Sequence, residues 1–398
     1  MAFDEAAPAT RSGGARAARA FTAPDVAVVL VHYHAPRQTT AAVTALGRDL
    51  EAAGLSAEWR VVDNGSTAEE RGVLAELGLP LLEGGGNLGF AAGVNRGIES
   101  ASAERLFVLN PDVEVLPGCA RALVDELERG AGAAAPRLYW DRGKRFLLPP
   151  GEERTRRWEL LVLAARRSRW FERRARRRWR RDARRHWEAA GSLRSLRLSG
   201  ALLAISRAAW RRVGTFDEAY RLYFEETDWL LRLAASGLEA RQAAGAQAVH
   251  GFAHSTKGEP QAAAWFAESA RRFRAVHYGE RFARLHDRLA AAIGRRRHAG
   301  PPRWSAAENR RRWSAPASPD DVLWVELSPN REGFPAAAER VPASALADWE
   351  PPVELMRASG LAGMSVCVAN ETGRELGRWW VSLDGWQGAE KSSVSAPC

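Results

Sequence analysis

Cysteine is scarce. There are three in 398 residues, at 119, 367 and 398, in no spacing that would hold a metal or form a redox pair. So few thiols fit a reducing compartment, and the chain reads as cytoplasmic. Long apolar runs are missing as well. No uninterrupted stretch approaches the ~20 residues that a membrane-spanning helix needs, and Met1 to Ala23 holds no hydrophobic signal core. Residues 1–24, rich in Ala, Arg and Gly, read as a disordered lead-in. Internal repeats are absent. So is the Gly-x-Gly-x-x-Gly dinucleotide fingerprint, because Gly84-Gly-Gly86 is crowded and Gly89 and Gly93 stand too far apart.

What remains is a chain with an ordinary apolar fraction of 46%, long enough for a full core and for more than one folding unit. Its net charge of +10 is concentrated. Between Gly151 and Ala190, 15 arginines stand against 6 acidic residues, a local excess of 9.

The N-terminal half alternates. Val26 to Val31 predicts a buried strand, Gln38 to Ala53 a helix, Glu58 to Val62 a strand and Glu69 to Leu77 a helix. Leu79 to Leu82, a helix from Ala91 to Ser102 and the strand Leu106 to Leu109 continue the rhythm. Strand and helix in turn imply a mostly parallel sheet covered on both faces. Helices at Gly118 to Arg129 and over Gln261 to Arg297, with strands at Leu198 to Ile205 and Ala246 to Val249, extend it. Residues 281–319 read as a helix end and a linker. Residues 320–398 alternate strand-like runs with Gly, Pro and Asn and read as a small β-rich accessory unit.

The polar residues gather at strand ends, where open α/β sheets bind ligands. Leu109 is followed by Asn110-Pro111-Asp112. Pro111 pushes Asn110 toward an extended conformation, and the hard carboxylate of Asp112 suits a divalent cation on phosphate oxygens. The plainer reading is an Asx-Pro turn. Asp63-Asn-Gly-Ser66 closes a strand with an acceptor for a base N–H and with a glycine for a tight turn. Asn87 to Asn95 carries Gly89 and Gly93 at a helix start, which suits either close ligand approach or close helix packing. Glu225, Glu226 and Asp228 crowd one helical turn. One of them is expected to hold its proton above the usual range, as a general base would, unless the helix dipole relieves the crowding. His250 ends a strand and is a candidate second metal ligand, although a lone histidine is more often structural.

In order, these pieces resemble a family-2 glycosyltransferase of the rhamnosyltransferase-like branch, with the GT-A nucleotide-sugar fold. The match runs over about residues 25–280 and includes Ser199-Gly-Ala201 and Gly214-Thr-Phe-Asp-Glu218. The resemblance implies that Tyr33, Asp63, Asn64, Asn87, Gly89, Gly93, Asn95 and Asn110 line the nucleotide-sugar site, with Asp63 on the base. Asp112 and His250 would hold Mn or Mg with the diphosphate. Glu226, standing where the family has Asp, or Glu225 would be the base of an inverting transfer. Asp217 and Asp228 would support it or face the acceptor. The donor would be a nucleoside-diphosphate sugar, with rhamnose one candidate. The acceptor would be a glycan or lipid-linked hydroxyl in cell-surface or exopolysaccharide synthesis. The second reading is a catalytically weak GT-A domain kept as a sugar-nucleotide-binding or scaffold protein.

Residues 151–190 predict two amphipathic helices broken near Ser168, with Trp158, Trp170, Trp179 and Trp187 among the arginines. That pattern suits an anionic membrane surface and a peripheral position at the inner face of the plasma membrane. Nucleic-acid binding and a solvated Arg-rich helix are the rivals. The C-terminal unit is open to three readings: acceptor binding, oligomer contacts or plain packing.

Overall fold

The structure is a computed structural model and describes residues 23–152, 154–251, 261–294 and 321–383, with 301 and 318. The lead-in 1–22, His254 and Ser255, most of the 301–319 linker and the tail with Cys398 lie outside the described residues.

The N-terminal half is β1 (Val26–His32), α1 (Pro36–Ala52), β2 (Ala57–Asp63), α2 (Ala68–Ala75), β3 (Leu81–Glu83), α3 (Phe90–Glu99) and β4 (Arg105–Leu109). β1 is buried along its whole length and pairs in parallel with β2 on one side and β4 on the other. Its residues alternate between two cores, as a strand's period of two demands. Val26, Val28 and Leu30 pack with Leu46 and Leu50 of α1, while Ala27, Val29 and Val31 pack with Val94 and Ile98 of α3. α3 lies close to the sheet because it carries glycine there. A Cβ on Gly93 would come within 2.9 Å of Val31, and one on Gly97 within 2.3 Å of Val29. α1 begins with Pro36, which is preset for a first turn. α2 begins with a capping box between Thr67 and Glu70.

The chain continues as β5 (Val113–Val115), α4 (Cys119–Glu128), β6 (Ala133–Tyr139), α5 (Arg156–Ala165), α6 (Arg169–Trp187), β7 (Leu193–Arg194) and β8 (Leu202–Ser206). Then come α7 (Arg207–Val213), α8 (Glu225–Ala235), β9 (Ala240–His250), α9 (Ala262–Tyr278) and α10 (Glu280–Ile293). The sheet order is β3-β2-β1-β4-β8-β6-β9-β5, with β7 on β9. β3, β2, β1 and β4 are parallel, and β8 enters antiparallel between β4 and β6. The mostly parallel α/β sheet expected from the sequence is therefore present, with β5, β6 and β7 added.

The C-terminal unit is a four-stranded antiparallel sheet of order β11-β10-β12-β13. It consists of β10 (Val322–Ser328), β11 (Ala337–Pro342), α11 (Val353–Ala358), β12 (Gly363–Asn370) and β13 (Glu375–Ser382). It is not a free appendage. Leu323, Val325 and Leu327 belong to the same apolar cluster as the first sheet, and Leu147 bridges to Ala338.

This sheet also covers the tryptophan faces of the basic block. Two amphipathic helices form, broken at Ser168, but their tryptophan faces do not look outward. Trp158, Trp179 and Trp187 are buried with Trp324, Phe334, Ala336 and Ala338, and Trp187 stacks on Trp324 at 5.3 Å between centroids. Arg180 is sealed in the same interface, its Nη2 donating to Glu326 Oε2 at 2.8 Å. Arg176 donates to Glu375 at 2.8 Å, and Arg184 to the carbonyl of Asn370 at 2.9 Å. Part of the charge excess is thus matched by C-terminal carboxylates that lie about 150 to 200 residues further along the chain. Of the four tryptophans, Trp170 alone is exposed, at 63%.

Candidate active site

The site is built where β4 stops. Asn110 N–H donates to the carbonyl of Ala201 at 2.8 Å, which ties the end of β4 to the segment before β8. One step on, the register of the β5–β9 pair sets Val113 opposite His250. His250 is thereby carried beside Asp112, with Nε2 3.4 Å from Oδ1. Asn110 Oδ1 and His250 Nε2 are both buried and make no hydrogen bond among the described residues. Buried polar atoms left this way cost free energy, so they point to a ligand. Their chemistry, amide oxygen, carboxylate and imidazole, fits a hard or borderline divalent cation. Among the described residues, no group of three or more His, Cys, Asp and Glu side chains could hold a metal by itself.

The acidic cluster opens α8. Tyr223 and Phe224 both have positive φ, +68° and +74°, a conformation that costs non-glycine residues of order 1–3 kcal/mol each. This turn drops Glu225 and Glu226 into the first helical turn, where free backbone N–H groups favour negative charge. The two carboxylates then differ sharply. Glu225 is only 5% exposed, and its Oε2 has no hydrogen-bond partner among the described residues. Burial, with the charge of Glu226 added, pushes its pKa well up. Glu226 is half-buried and accepts a hydrogen bond from Thr227 Oγ1 at 3.3 Å. Burial raises its pKa too, against the pull of backbone hydrogen bonding and of Arg154. Arg154 is held nearby over the Phe224 ring at 4.5 Å. The motif Ser199-Gly-Ala201 supplies the space. A Cβ on Gly200 would meet Glu226 Cγ at 3.1 Å.

Asp228 and Asp217 are each held by side-chain partners. Asp228 is buried between His277 Nε2 and Arg232 Nε, both at 2.8 Å. Burial works to raise its pKa, but the His277 hydrogen bond and the Arg232 charge outweigh it and hold it low. Asp217 accepts from Arg272 Nη2 at 2.6 Å and from the Ala219 N–H at 3.0 Å. Both are supports, one for α8 and one for the loop before it.

The residues expected to line the donor site divide. Asn64 and Asn87 clasp two loops together. Asn64 Nδ2 donates to Asn87 Oδ1 at 3.1 Å, and Leu88 N–H donates to Asn64 Oδ1 at 2.7 Å. Asn95 is fully engaged by the 216–218 loop, giving to Phe216 O and Glu218 Oε1 and accepting from Phe216 N–H. It positions that loop. Gly93 is a packing glycine under Val31. Gly89, with φ of +87°, starts α3 and lets the Arg221 carbonyl come within 2.9 Å of where a Cβ would be. Tyr33 is exposed at the end of β1, beside His34. Asp63 is nearly sealed. Its Oδ1 accepts from the N–H groups of Gly65 and Ser66, and Oδ2 lies 2.8 Å from Arg71 Nε. A base at this point would have to share Oδ2 with Arg71. Arg71, Arg154 and His277 were not legible as site residues, because each reaches its partner from another helix or loop.

The fold and this edge define a glycosyltransferase of the GT-A type. The model of Glycosyl transferase family 2 matches residues 28–199. Two curated proteins named N-acetylglucosaminyl-diphospho-decaprenol L-rhamnosyltransferase are each 30% identical over 219 residues. They come from two strains of Mycobacterium tuberculosis, CDC 1551 and H37Rv, and the match covers 50% of this chain and 68% of theirs. The chain belongs to glycosyl transferase family 2. Among solved structures, a mannosyltransferase from Pyrobaculum calidifontis in complex with GDP-Man and Mn2+ is similar at 15% identity, over 69% of this chain and 77% of that one. Its TM-score of 0.41 is too low to bear on the ligand.

Proposed function

We propose that the protein is an inverting, divalent-cation-dependent transferase that moves a sugar, rhamnose in the first instance, from a nucleoside diphosphate to a hydroxyl of a lipid-linked acceptor. The observation that carries this is the unequal carboxylate pair. Glu226 is half-buried and packs against Gly200, while Glu225 is almost fully buried. Glu226 is therefore the base, and Glu225 holds a proton and adds no second charge. The acceptor oxygen forms its bond to the anomeric carbon as the bond from that carbon to the diphosphate oxygen breaks. The acceptor proton passes to a Glu226 oxygen, and the leaving group departs with the electron pair. One displacement inverts the centre. Asp112, His250 and Asn110 would hold Mg or Mn, which when bound offsets charge on the leaving diphosphate. The choice of rhamnose and of a lipid-linked acceptor draws on the names of the mycobacterial relatives. The pathway would be assembly of a cell-surface or exported polysaccharide, at the cytoplasmic face of the membrane that carries the acceptor.

The test is transfer from a panel of nucleotide sugars to a polyprenyl-diphosphate sugar, with and without Mn2+, by wild type and Glu226→Gln. A product formed equally well by the variant would remove Glu226 from the role. Donor hydrolysis or transfer without added cation and in the presence of chelator would remove the metal.

A further inference from the structure

α10 does not behave like a helix made to pack inside a protein. Ala283 is its only buried residue. Leu285, Leu289 and Ala292 recur at i, i+4 and i+7 and form an apolar stripe, yet Leu285 is 50% exposed and Leu289 and Ala292 are exposed too. Arg281, Arg284 and Arg288 form the next stripe round the helix, all exposed. The acids of α10 lie on the far side and are already engaged, Glu280 by Arg271 and Asp287 by Arg271 and Arg274, all from α9. Glu280 also interacts with the charge of Arg284, so these acids offset the three arginines only in part.

The surroundings have the same character. α10 lies along α5, with Phe282 under Arg156 at 5.8 Å and His286 3.7 Å from Glu159. Leu160, next to Glu159, is exposed. Exposed Arg166 and Arg167 follow the end of α5, and the first turn of α6 carries exposed Trp170 and Phe171. An apolar stripe edged with arginine and carrying aromatic residues is the pattern of a helix lying in a membrane interface. Charge selects the occupant, since anionic headgroups complement this rim.

We propose that α10, together with the α5–α6 tip, docks on an anionic lipid bilayer. The membrane contact thus moves from the tryptophan face of α6, which is covered by the C-terminal sheet, to a different helix. This surface lies outside the cleft and stands whether or not the transfer reaction is as proposed.

The experiment is co-sedimentation of the full chain with vesicles of phosphatidylglycerol and phosphatidylcholine, and with phosphatidylcholine alone. Wild type is expected in the pellet only with the anionic vesicles. Leu285→Gln with Leu289→Gln should weaken partition at least about tenfold, since each buried leucine contributes that order. Arg281→Gln with Arg284→Gln and Arg288→Gln should weaken it by about fivefold per arginine and flatten its salt dependence. Both variants alter exposed positions, so an unchanged melting curve is expected. Glu226→Gln should sediment as wild type, which separates docking from catalysis. Wild-type sedimentation by the leucine variant overturns the proposal. So does a leucine variant that changes from dimer to monomer with vesicle binding intact, because the face would then be a self-association surface. Equal pelleting with neutral lipid, or binding to an RNA or DNA oligomer with none to vesicles, overturns it as well.

Discussion

Gly200 and Glu226 are in such close contact that a Cβ on the glycine would lie 3.1 Å from Glu226 Cγ. The glycine of one segment thus sets the position of a carboxylate on another. Gly200→Ala should displace Glu226 by a few tenths of an ångström. Transfer should fall roughly tenfold or more, because a base must be held in geometry with its proton. The melting temperature should move little. A kinetic comparison of Gly200→Ala with wild type at saturating donor checks this, and an unchanged kcat would detach the glycine from the base.

The carboxylate pair predicts two different pH effects. Glu226 must be ionised to act, and burial raises its pKa. The acid limb of kcat should therefore lie above the ordinary carboxylate range, and Arg154→Gln should push it higher by removing a cation. Glu226→Gln should cost about 10²–10⁴-fold in kcat.

For Glu225 the sign concerns stability. Its folded pKa is raised, so the folded state holds a proton that the unfolded chain releases. Stability is then lost as pH rises from the ordinary carboxylate range toward the folded value. Glu225→Gln should raise the melting temperature at pH 8, and the gain should fade as pH approaches 4.5, the ordinary value for the group. Thermal melts across pH 4.5 to 8 would show it. A constant difference would mean that the carboxylate is not buried as a neutral acid.

Asp112 and His250 set a carboxylate and an imidazole 3.4 Å apart. So small a set should bind Mn2+ weakly until a diphosphate supplies further oxygens. Calorimetric titration should show little uptake by the empty protein and clear uptake with nucleoside diphosphate present. Asp112→Ala should lose that uptake and transfer together. Tight binding without nucleotide would contradict the assignment.

In the C-terminal interface, Glu326→Ala should take the two-point carboxylate partner from the buried Arg180 guanidinium and leave it Glu375 at 4.0 Å, at a cost of up to roughly 3–5 kcal/mol. The double change Arg180→Met with Glu326→Leu should cost much less, because the charge is removed with its partner. Urea unfolding of the three chains measures the difference. Equal destabilisation by the single and double variants would show that the pair is not a unit.

Much of this protein could be read along the chain. The alternation of buried strands with amphipathic helices, the stop at Asn110-Pro111-Asp112, the crowded acids at 225–228 and the family resemblance all rest on neighbours within a few residues. Local sterics, periodicity and charge spacing are enough for these. Where the polar groups of those motifs point is a different matter. Asn95 and Gly93 were legible as part of a glycine-rich loop, but close packing on β1 and the 216–218 loop made one a clasp and the other a spacer. Glu225 and Glu226 are chemically identical in the sequence, and only burial divides them. The tryptophans of 151–190 announced an apolar face without saying what would cover it. That depended on a strand that begins at Val322, and a contact over such a separation leaves no period in the sequence. The sequence determined which elements form and which chemistry collects at one sheet edge. Tertiary packing decided which face of each helix is sealed, which carboxylate is the less buried, and that α10, not the tryptophan face of α6, is left exposed.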